Sequence, residues 1–127
     1  MGYKLNWEPK GFFVKYYGTV TSADIMSAMS EIHSSRKFDE LQYGVSEYSQ
    51  VERYDVTPSQ IVIHAAHWNG ASRSNPRIVL ASVTENQNII DVLKSIRASI
   101  LRRKLCSTLD EAREWIKQEA KIDAILE

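Results

Sequence analysis

Four of the five threonines in this chain follow a short apolar run, and each has an acid or an amide three residues later. This is the spacing of a capping box, in which the threonine oxygen accepts an N–H of the first helical turn and the later side chain reaches back to the cap. The pattern therefore predicts four helices, each beginning where a strand ends. The four pairs are Thr21 with Asp24, Thr57 with Gln60, Thr84 with Gln87, and Thr108 with Glu111.

Five strands are predicted before and between these helices, from aromatic and β-branched runs and from period-two alternation. They cover residues 3–7, 12–17, 42–48, 78–83 and 101–106. A turn signal at Pro9, Lys10 and Gly11 joins the first two strands into an antiparallel hairpin. The polar stretch 49–56 is predicted to be a loop.

The order of elements predicts an α/β fold of one domain over residues 1–127, with a five-stranded mixed sheet. Right-handed crossovers between adjacent parallel strands would collect the four helices mainly on one face of that sheet. The strands at 42–48 and 101–106 are half polar, so the second face should be only partly covered. Aromatic and basic side chains there would offer a contact surface.

Composition excludes several classes of function. Sixteen basic residues balance sixteen acidic ones, which gives no reason to expect nucleic acid or a charged membrane surface as a partner. No apolar stretch is long enough to span a membrane. Cys106 is the single cysteine, which excludes an intramolecular disulfide and fits a reducing cytoplasm.

Four stretches of the chain resemble the small bacterial proteins called SpoIIAA-like, or STAS/SEC14-domain, proteins. They are the hairpin around Trp7-Glu8-Pro9, the run from Phe13 to Gly18 followed by Thr21, the stretch from Asn75 to Ala81, and the ending from Ser107 to Ile116. The resemblance covers Leu5 to about Ile116 and implies a superhelix of β–α turns. Relatives of that fold include bacterial anti-sigma-factor antagonists and lipid-carrying SEC14 domains.

The resemblance also implies a possible regulatory phosphate site at Asp55, Thr57 and Ser59. In the antagonists, a serine at the start of the second helix is phosphorylated, within a motif of Asp-Ser followed shortly by Gly. This chain departs from the motif, because its acid stands two residues before the hydroxyl and no glycine follows. A phosphate at the helix start would meet unpaired N–H groups and the helix dipole. Plain helix capping by Thr57 is the alternative.

Other reactive side chains give no catalytic or metal constellation. His64 and His67 share a face of the second helix, and a fold that brings His33 across to them would add a third imidazole, but a metal would need further ligands at a conventional spacing. We therefore expect no metal, cofactor or catalytic group. Cys106 ends a strand just before a helix, where its pKa could fall, but small core filler is the simpler interpretation. Glu47, Glu52 and Asp55 could in principle supply a pair of carboxylates.

The densest basic run has two interpretations. It comprises Arg97, Arg102, Arg103 and Lys104. These side chains could meet a phosphate-bearing ligand or a lipid headgroup, or they could form a solvated strand edge that discourages unwanted pairing.

Three functions follow from these features. The first is a non-enzymatic cytoplasmic binding or regulatory module with a protein partner, most simply a second copy in a homodimer. The second is a carrier of a small apolar or amphipathic ligand, with Phe12, Phe13, Tyr16 and Tyr17 and the helix faces lining a pocket. The third is an unrecognised enzyme, for which the sequence names no acid–base pair. The apolar tail at 122–126 could cap the core or pack on a second subunit.

Overall fold

The computed structural model describes residues 2–96 and 102–120 and has the predicted order of strands and helices. A short 3₁₀ helix at Phe38–Glu40 precedes the third strand. The strands are β1 (Tyr3–Glu8), β2 (Gly11–Thr21), β3 (Tyr43–Asp55), β4 (Val79–Val83) and β5 (Arg102–Cys106). The helices are α1 (Ser22–His33), α2 (Pro58–Ala71), α3 (Gln87–Lys94) and α4 (Leu109–Ala120).

The five strands form one mixed sheet in the order β1-β2-β3-β4-β5. β1 and β2 pair antiparallel as the predicted hairpin. Every later pair, from β2–β3 to β4–β5, is parallel. The predicted α/β class and mixed sheet are therefore confirmed. Within residues 2–96 and 102–120, no helix has the length and apolar character needed to cross a bilayer.

The predicted loop at 49–56 is wrong, because β3 continues to Asp55 and pairs with a longer β2. The last pair of this extension is Thr21 with Asp55. The pairing shifts register on either side of Gly18, whose φ of 66° suits a residue without a Cβ. The stretch is polar because much of this two-stranded extension is exposed to solvent.

Helices cover both faces of the sheet, unequally. On the side that we call the three-helix face, α1, α2 and α3 form one core with alternate residues of β2, including Phe12, Val14 and Tyr16. On the side that we call the α4 face, α4 packs on the central strands through Ala112 and Ile116. The helices thus lie mainly on one face, as predicted.

The third strand is more deeply buried than predicted. From 43 to 48, every residue except Ser46 is buried, because helices cover both sides of this strand. The half-polar interpretation of 42–48 is therefore wrong. In β5, Arg102, Arg103 and Lys104 are all exposed, so this edge strand has exposed side chains on both faces and not on one predicted side alone. The α4 face stays open over part of β2, where Lys15 is exposed and Tyr17 is 41% exposed.

Two of the four predicted capping boxes are complete. The Thr21 side chain accepts the Asp24 N–H at 3.3 Å, and the Asp24 carboxylate accepts the Thr21 N–H at 2.9 Å. Thr57 and Gln60 make the same reciprocal pair at 3.2 and 2.9 Å. These boxes fix where α1 and α2 begin.

The third predicted box is wrong. Asn86 caps α3, and its side-chain oxygen accepts the N–H groups of Asn88 and Ile89. Thr84 cannot serve as the cap because it extends the β4–β5 pairing, donating its own N–H to the Cys106 carbonyl at 2.9 Å. Its hydroxyl instead accepts the Asn86 N–H.

The fourth box is half formed. The Thr108 hydroxyl accepts the Glu111 N–H at 3.1 Å, but the Glu111 carboxylate accepts the N–H of Ser107 and not that of Thr108. The predicted tail at 122–126 lies outside the described residues.

A salt bridge between Arg113 and Glu8 joins α4 to the β1–β2 hairpin. Both guanidinium nitrogens of Arg113 donate to the two carboxylate oxygens of Glu8, at 2.8 and 2.7 Å. The Tyr43 hydroxyl donates to the same carboxylate at 2.5 Å, and Arg113 lies over the Phe13 ring. Burial raises the pKa of Glu8, but the bonds from Arg113 and Tyr43 outweigh it and hold that pKa below its usual value.

Candidate functional site

The predicted regulatory residues lie around the start of α2, and all three are exposed. Asp55 ends β3, and Thr57 is the N-cap of α2. The hydroxyls of Thr57 and Ser59 lie 3.2 Å apart. The structure thus brings these two hydroxyls together at a helix start, while the Asp55 carboxylate makes no hydrogen bond to any residue in 2–96 or 102–120. A regulatory role for them stays a prediction.

The outward side of α2 carries a group of exposed apolar residues. Val62 and Ile63 are 60% and 57% exposed. Pro58 and Ala66, one helical turn to either side of Val62, are also exposed. We call these four residues the α2 outer face. Neighbouring large apolar side chains left exposed on a helix mark a contact site, so this face is available to a partner.

A cavity of about 80 Å³ lies under the inner side of α2, between the sheet and the three helices. Its helix wall includes Ile61, His64 and Trp68 of α2. Of the four aromatic residues predicted to line a pocket, Phe12 and Tyr16 do so. Phe13 packs instead with the core of the α4 face, and Tyr17 is not part of the wall. Strand alternation explains the division, since neighbouring residues point to opposite faces.

Small residues on the central strands create the space. Ser46 of β3 pairs with Ser82 of β4, and both line the cavity where a central strand usually carries a branched apolar side chain. Gly44 lets the Phe12 ring lie across the sheet, because a Cβ on Gly44 would come within 2.1 Å of that ring. These small residues inside strands are the sequence signal for the cavity, and the prediction of a pocket from aromatic residues did not include them.

Two residues of the cavity wall carry buried polar atoms without a partner within the described part of the chain. They are the Tyr54 hydroxyl and the His64 Nδ1. The other ring nitrogen of His64, Nε2, lies 2.8 Å from the Ser22 hydroxyl. Burial, and then the charge of His67, lowers the pKa of His64, and burial raises the pKa of Tyr54 to about 12. Both groups are therefore neutral near pH 7, and each lacks a hydrogen bond that buried polar atoms normally have.

The three histidines lie in one region, and His33 does approach α2 as the sequence suggested. Its ring stacks on His67 at 6.1 Å between centroids and meets Trp68 edge-on at 4.3 Å. Burial, and then His67, lowers the pKa of His33 to about 4. Across the ranges 2–96 and 102–120, no three His, Cys, Asp or Glu side chains are grouped to hold a metal ion.

The basic run is divided by strand alternation. Arg102 forms a salt bridge with Glu119 of α4. Arg103 points to the three-helix face and joins the cavity wall. It also lines an adjoining space of about 270 Å³, together with Lys94 and Lys104. Arg97 lies outside the described residues. Only part of the run is therefore the solvated edge of the simpler interpretation.

The remaining candidate reactive groups, the Cys106 thiol and the three carboxylates, do not form a catalytic group. Cys106 is buried, and burial, followed by the charge of Glu111, raises the pKa of its thiol, so it acts as core filler and not as a thiolate. Glu47 is buried, whereas Glu52 and Asp55 are exposed. Five residues of extended strand place Glu47 roughly 16 Å from Glu52 along β3, so these two acids do not form a pair.

An antiparallel hairpin, parallel strands in sequential order and helices mainly on one face define the SpoIIAA-like fold. A solved structure of the anti-sigma factor antagonist SpoIIAA in its unphosphorylated form aligns with this chain at a TM-score of 0.58. The alignment covers 91% of this chain and 97% of that one, at 12% sequence identity. The predicted fold is thus confirmed, and at this identity the likeness concerns the fold alone. No protein-family model matches the chain, and no curated protein is similar enough in sequence to match it.

Proposed function

We propose that this chain is a non-enzymatic cytoplasmic binding module that associates with a protein partner, a second copy of itself, through the α2 outer face. The single observation that carries the proposal is the exposure of Val62 and Ile63 on that helix. A solved structure with the same fold is that of an anti-sigma factor antagonist, which supports a regulatory role.

Neither helix formation nor core packing explains the two exposed residues. Valine and isoleucine are poorer helix formers than alanine, lysine or glutamate, because β-branching restricts their side chains in a helix. At exposed positions they therefore cost helix stability and gain nothing from burial. In a dimer with two-fold symmetry the same patch meets itself, so a small apolar face supplies both halves of the interface.

The predicted phosphate site adjoins this interface. Ser59 lies one turn before Ile63, on the same side of the helix. A phosphate on Ser59 would add about two negative charges beside an apolar contact, and such a charge disrupts an apolar interface. We propose that modification of Ser59, or of neighbouring Thr57, would weaken self-association.

The test is sedimentation velocity across micromolar concentrations. We expect the unmodified chain to dimerise and Ile63→Glu to sediment as a monomer with unchanged thermal stability. Gln118→Glu, which adds the same charge at an exposed position of α4, is the matched control and should still dimerise. Ser59→Asp should dimerise more weakly. A monomeric unmodified chain at high micromolar concentration would refute self-association.

A second function, the carriage of a small apolar or amphipathic ligand, is supported by the cavity and its unpaired polar atoms. The two functions are compatible, because the inner side of α2 lines the cavity while Val62 and Ile63 point outward.

One pair of side chains, Ser22 and His64, resembles part of a catalytic site and must be considered before the chain is called non-enzymatic. Ser22 and His64 are within hydrogen-bonding distance, as a nucleophile and its base would be. No acid orients the ring, however, because His64 Nδ1 has no partner among the residues that the structure describes. We expect no turnover in esterase and amidase screens, and turnover that disappears in Ser22→Ala would overturn this part.

A further inference from the structure

We propose that the cavity under α2 binds a small amphipathic carboxylic acid, with its apolar body against Trp68 and Leu80 and its carboxylate at Arg103. The inference rests on the second of the two proposed functions, ligand carriage, and gives that ligand a chemical class. Three features of the cavity support it: the character of its wall, its unpaired hydrogen-bonding groups, and the cation at its mouth.

The wall selects an apolar body of limited size. Most of the lining residues are aliphatic or aromatic, including Phe12, Ile61 and Leu93. The volume of about 80 Å³ is roughly half that of an apolar cavity of about 150 Å³ that binds benzene. A body of a few carbon atoms fits this space. A longer chain would extend into the adjoining space of about 270 Å³, which shares Ser82, Leu93, Ile96 and Arg103 with the cavity.

The unpaired groups of the wall select an oxygen acceptor. The Tyr54 hydroxyl is a donor without an acceptor. When the Ser22 hydroxyl donates to His64 Nε2, the proton of the neutral ring is on Nδ1, which is then a second unpaired donor. A buried donor left unpaired is costly, and a ligand oxygen would remove that cost.

The cation at the mouth selects a negative charge. Arg103 makes no ion pair with any other residue in 2–96 or 102–120, unlike its neighbour Arg102, which binds Glu119. A guanidinium has the planar fork that matches a carboxylate with two hydrogen bonds. Lys94 and Lys104 line the space outside and add to the positive potential there.

The experiment measures binding of three probes of equal chain length to the full chain: hexanoate, 1-hexanol and hexylamine. Methyl NMR gives the location, because Ile61 and Leu93 line the cavity whereas Ile116 is buried on the α4 face as an internal control. We expect hexanoate to shift the cavity methyls and leave Ile116 unchanged. Hexanol should bind more weakly, and hexylamine should not bind.

Variants test the charge of Arg103 and the volume of the cavity separately. Arg103→Gln should weaken hexanoate binding about tenfold or more. Arg53→Gln, which removes the same charge from an exposed residue of β3 next to Tyr54 on the opposite face, should leave it unchanged. Ser82→Val should abolish binding by filling the cavity, and Ser46→Val serves if the first variant does not fold.

The results that would overturn the proposal are specific. Equal binding of the acid, the alcohol and the amine, or no effect of Arg103→Gln, would refute the carboxylate while leaving ligand carriage in place. No shift with any probe, or shifts at Ile116 alone, would refute both. Sedimentation of the same variants distinguishes a failure of ligand binding from a failure of self-association. None of these variants changes the α2 outer face, so dimerisation should be unaffected.

Discussion

The two faces of this sheet are packed differently. On the α4 face, Val45, Val79, Ala81 and Val83 meet one helix, and each is at most 2% exposed. On the three-helix face, the sheet presents large aromatic side chains next to serines and a glycine, and a cavity remains between them. Because protein interiors normally have few voids larger than a water molecule, the cavity sets the three-helix face apart from the α4 face.

The polar groups divide in the same way. On the α4 face, the partly buried charges of Glu8 and Arg113 satisfy each other and form a closed set of hydrogen bonds with Tyr43. On the three-helix face, Tyr54 and His64 each keep an unpaired atom. The comparison indicates that the α4 face is the more tightly packed of the two and that the three-helix face retains the capacity to bind.

The largest expected effect is the loss of the salt bridge on the α4 face. Arg113→Met should lower the free energy of unfolding by about 2–4 kcal/mol, because it leaves the Glu8 carboxylate partly buried without its cation. Arg102→Met breaks an exposed pair with Glu119 and should cost less than about 1 kcal/mol. Urea denaturation of both variants measures the difference, and equal losses would contradict the assigned role of Glu8 and Arg113.

Two neighbouring residues of β4 test the packing difference directly. Ala81 faces α4 and is 1% exposed, whereas Ser82 lines the cavity. Ala81→Val should destabilise the fold by about 1–3 kcal/mol, since added methyl groups have no room. Ser82→Val should be neutral or stabilise the fold by up to about 1 kcal/mol, since it fills space and removes a hydroxyl. Thermal unfolding gives both values, and the same sign for both would show that the two faces are packed alike.

The sequence predicted the fold well where the signal was local. The boxes at Thr21 and Thr57 and the turn at Pro9 depend only on neighbouring residues, and the structure confirms all three. The extension of β3 to Asp55 was missed because it depends on pairing with a distant strand, and its residues are as polar as those of a loop. Thr84 fails as a cap for the same reason, since its N–H bonds to the carbonyl of Cys106 in another strand.

The candidate site was less predictable. Thr57 and Ser59 were placed at a helix start correctly, whereas Asp55, predicted in a loop, ends β3. Part of the cavity wall was missed because it depends on which strand residues face the same way. The positions of Ser46 and Ser82 inside apolar strands were visible in the sequence. Ser46 and Ser82 pair in one row, and share a cavity wall with His64 and Arg103, only once the strands are in register.

Acid should destabilise the two faces in different pH windows. The pKa of His33 on the three-helix side is lowered to about 4. Its contribution to the free energy of unfolding is therefore complete above the ordinary pKa of 6.5 and is lost as pH falls towards 4. The pKa of Glu8 is lowered from its ordinary value of 4.5. Its contribution to the free energy of unfolding is therefore present above pH 4.5 and is lost as pH falls below that value. Each group gives a slope of at most about 1.4 kcal/mol per pH unit.

Urea denaturation from pH 7 to pH 3 separates the two windows. His33→Phe should flatten the loss of stability between pH 6.5 and about 4, and Glu8→Gln should flatten the loss below pH 4.5. An unchanged slope in His33→Phe would show that the His33 ring can gain a proton without cost to the fold.

The smallest effect distinguishes the caps of two helices on opposite faces. Thr57→Ala should cost about 1 kcal/mol, because the box at α2 is complete in both directions. Thr108→Ala removes a cap of which only one direction is formed, so its cost should be lower by a few tenths of a kcal/mol. Thr57→Ser and Thr108→Ser keep the hydroxyl acceptor and are the matched controls. A greater loss in Thr108→Ala than in Thr57→Ala would show that the start of α4 depends on its cap more than the hydrogen bonds indicate.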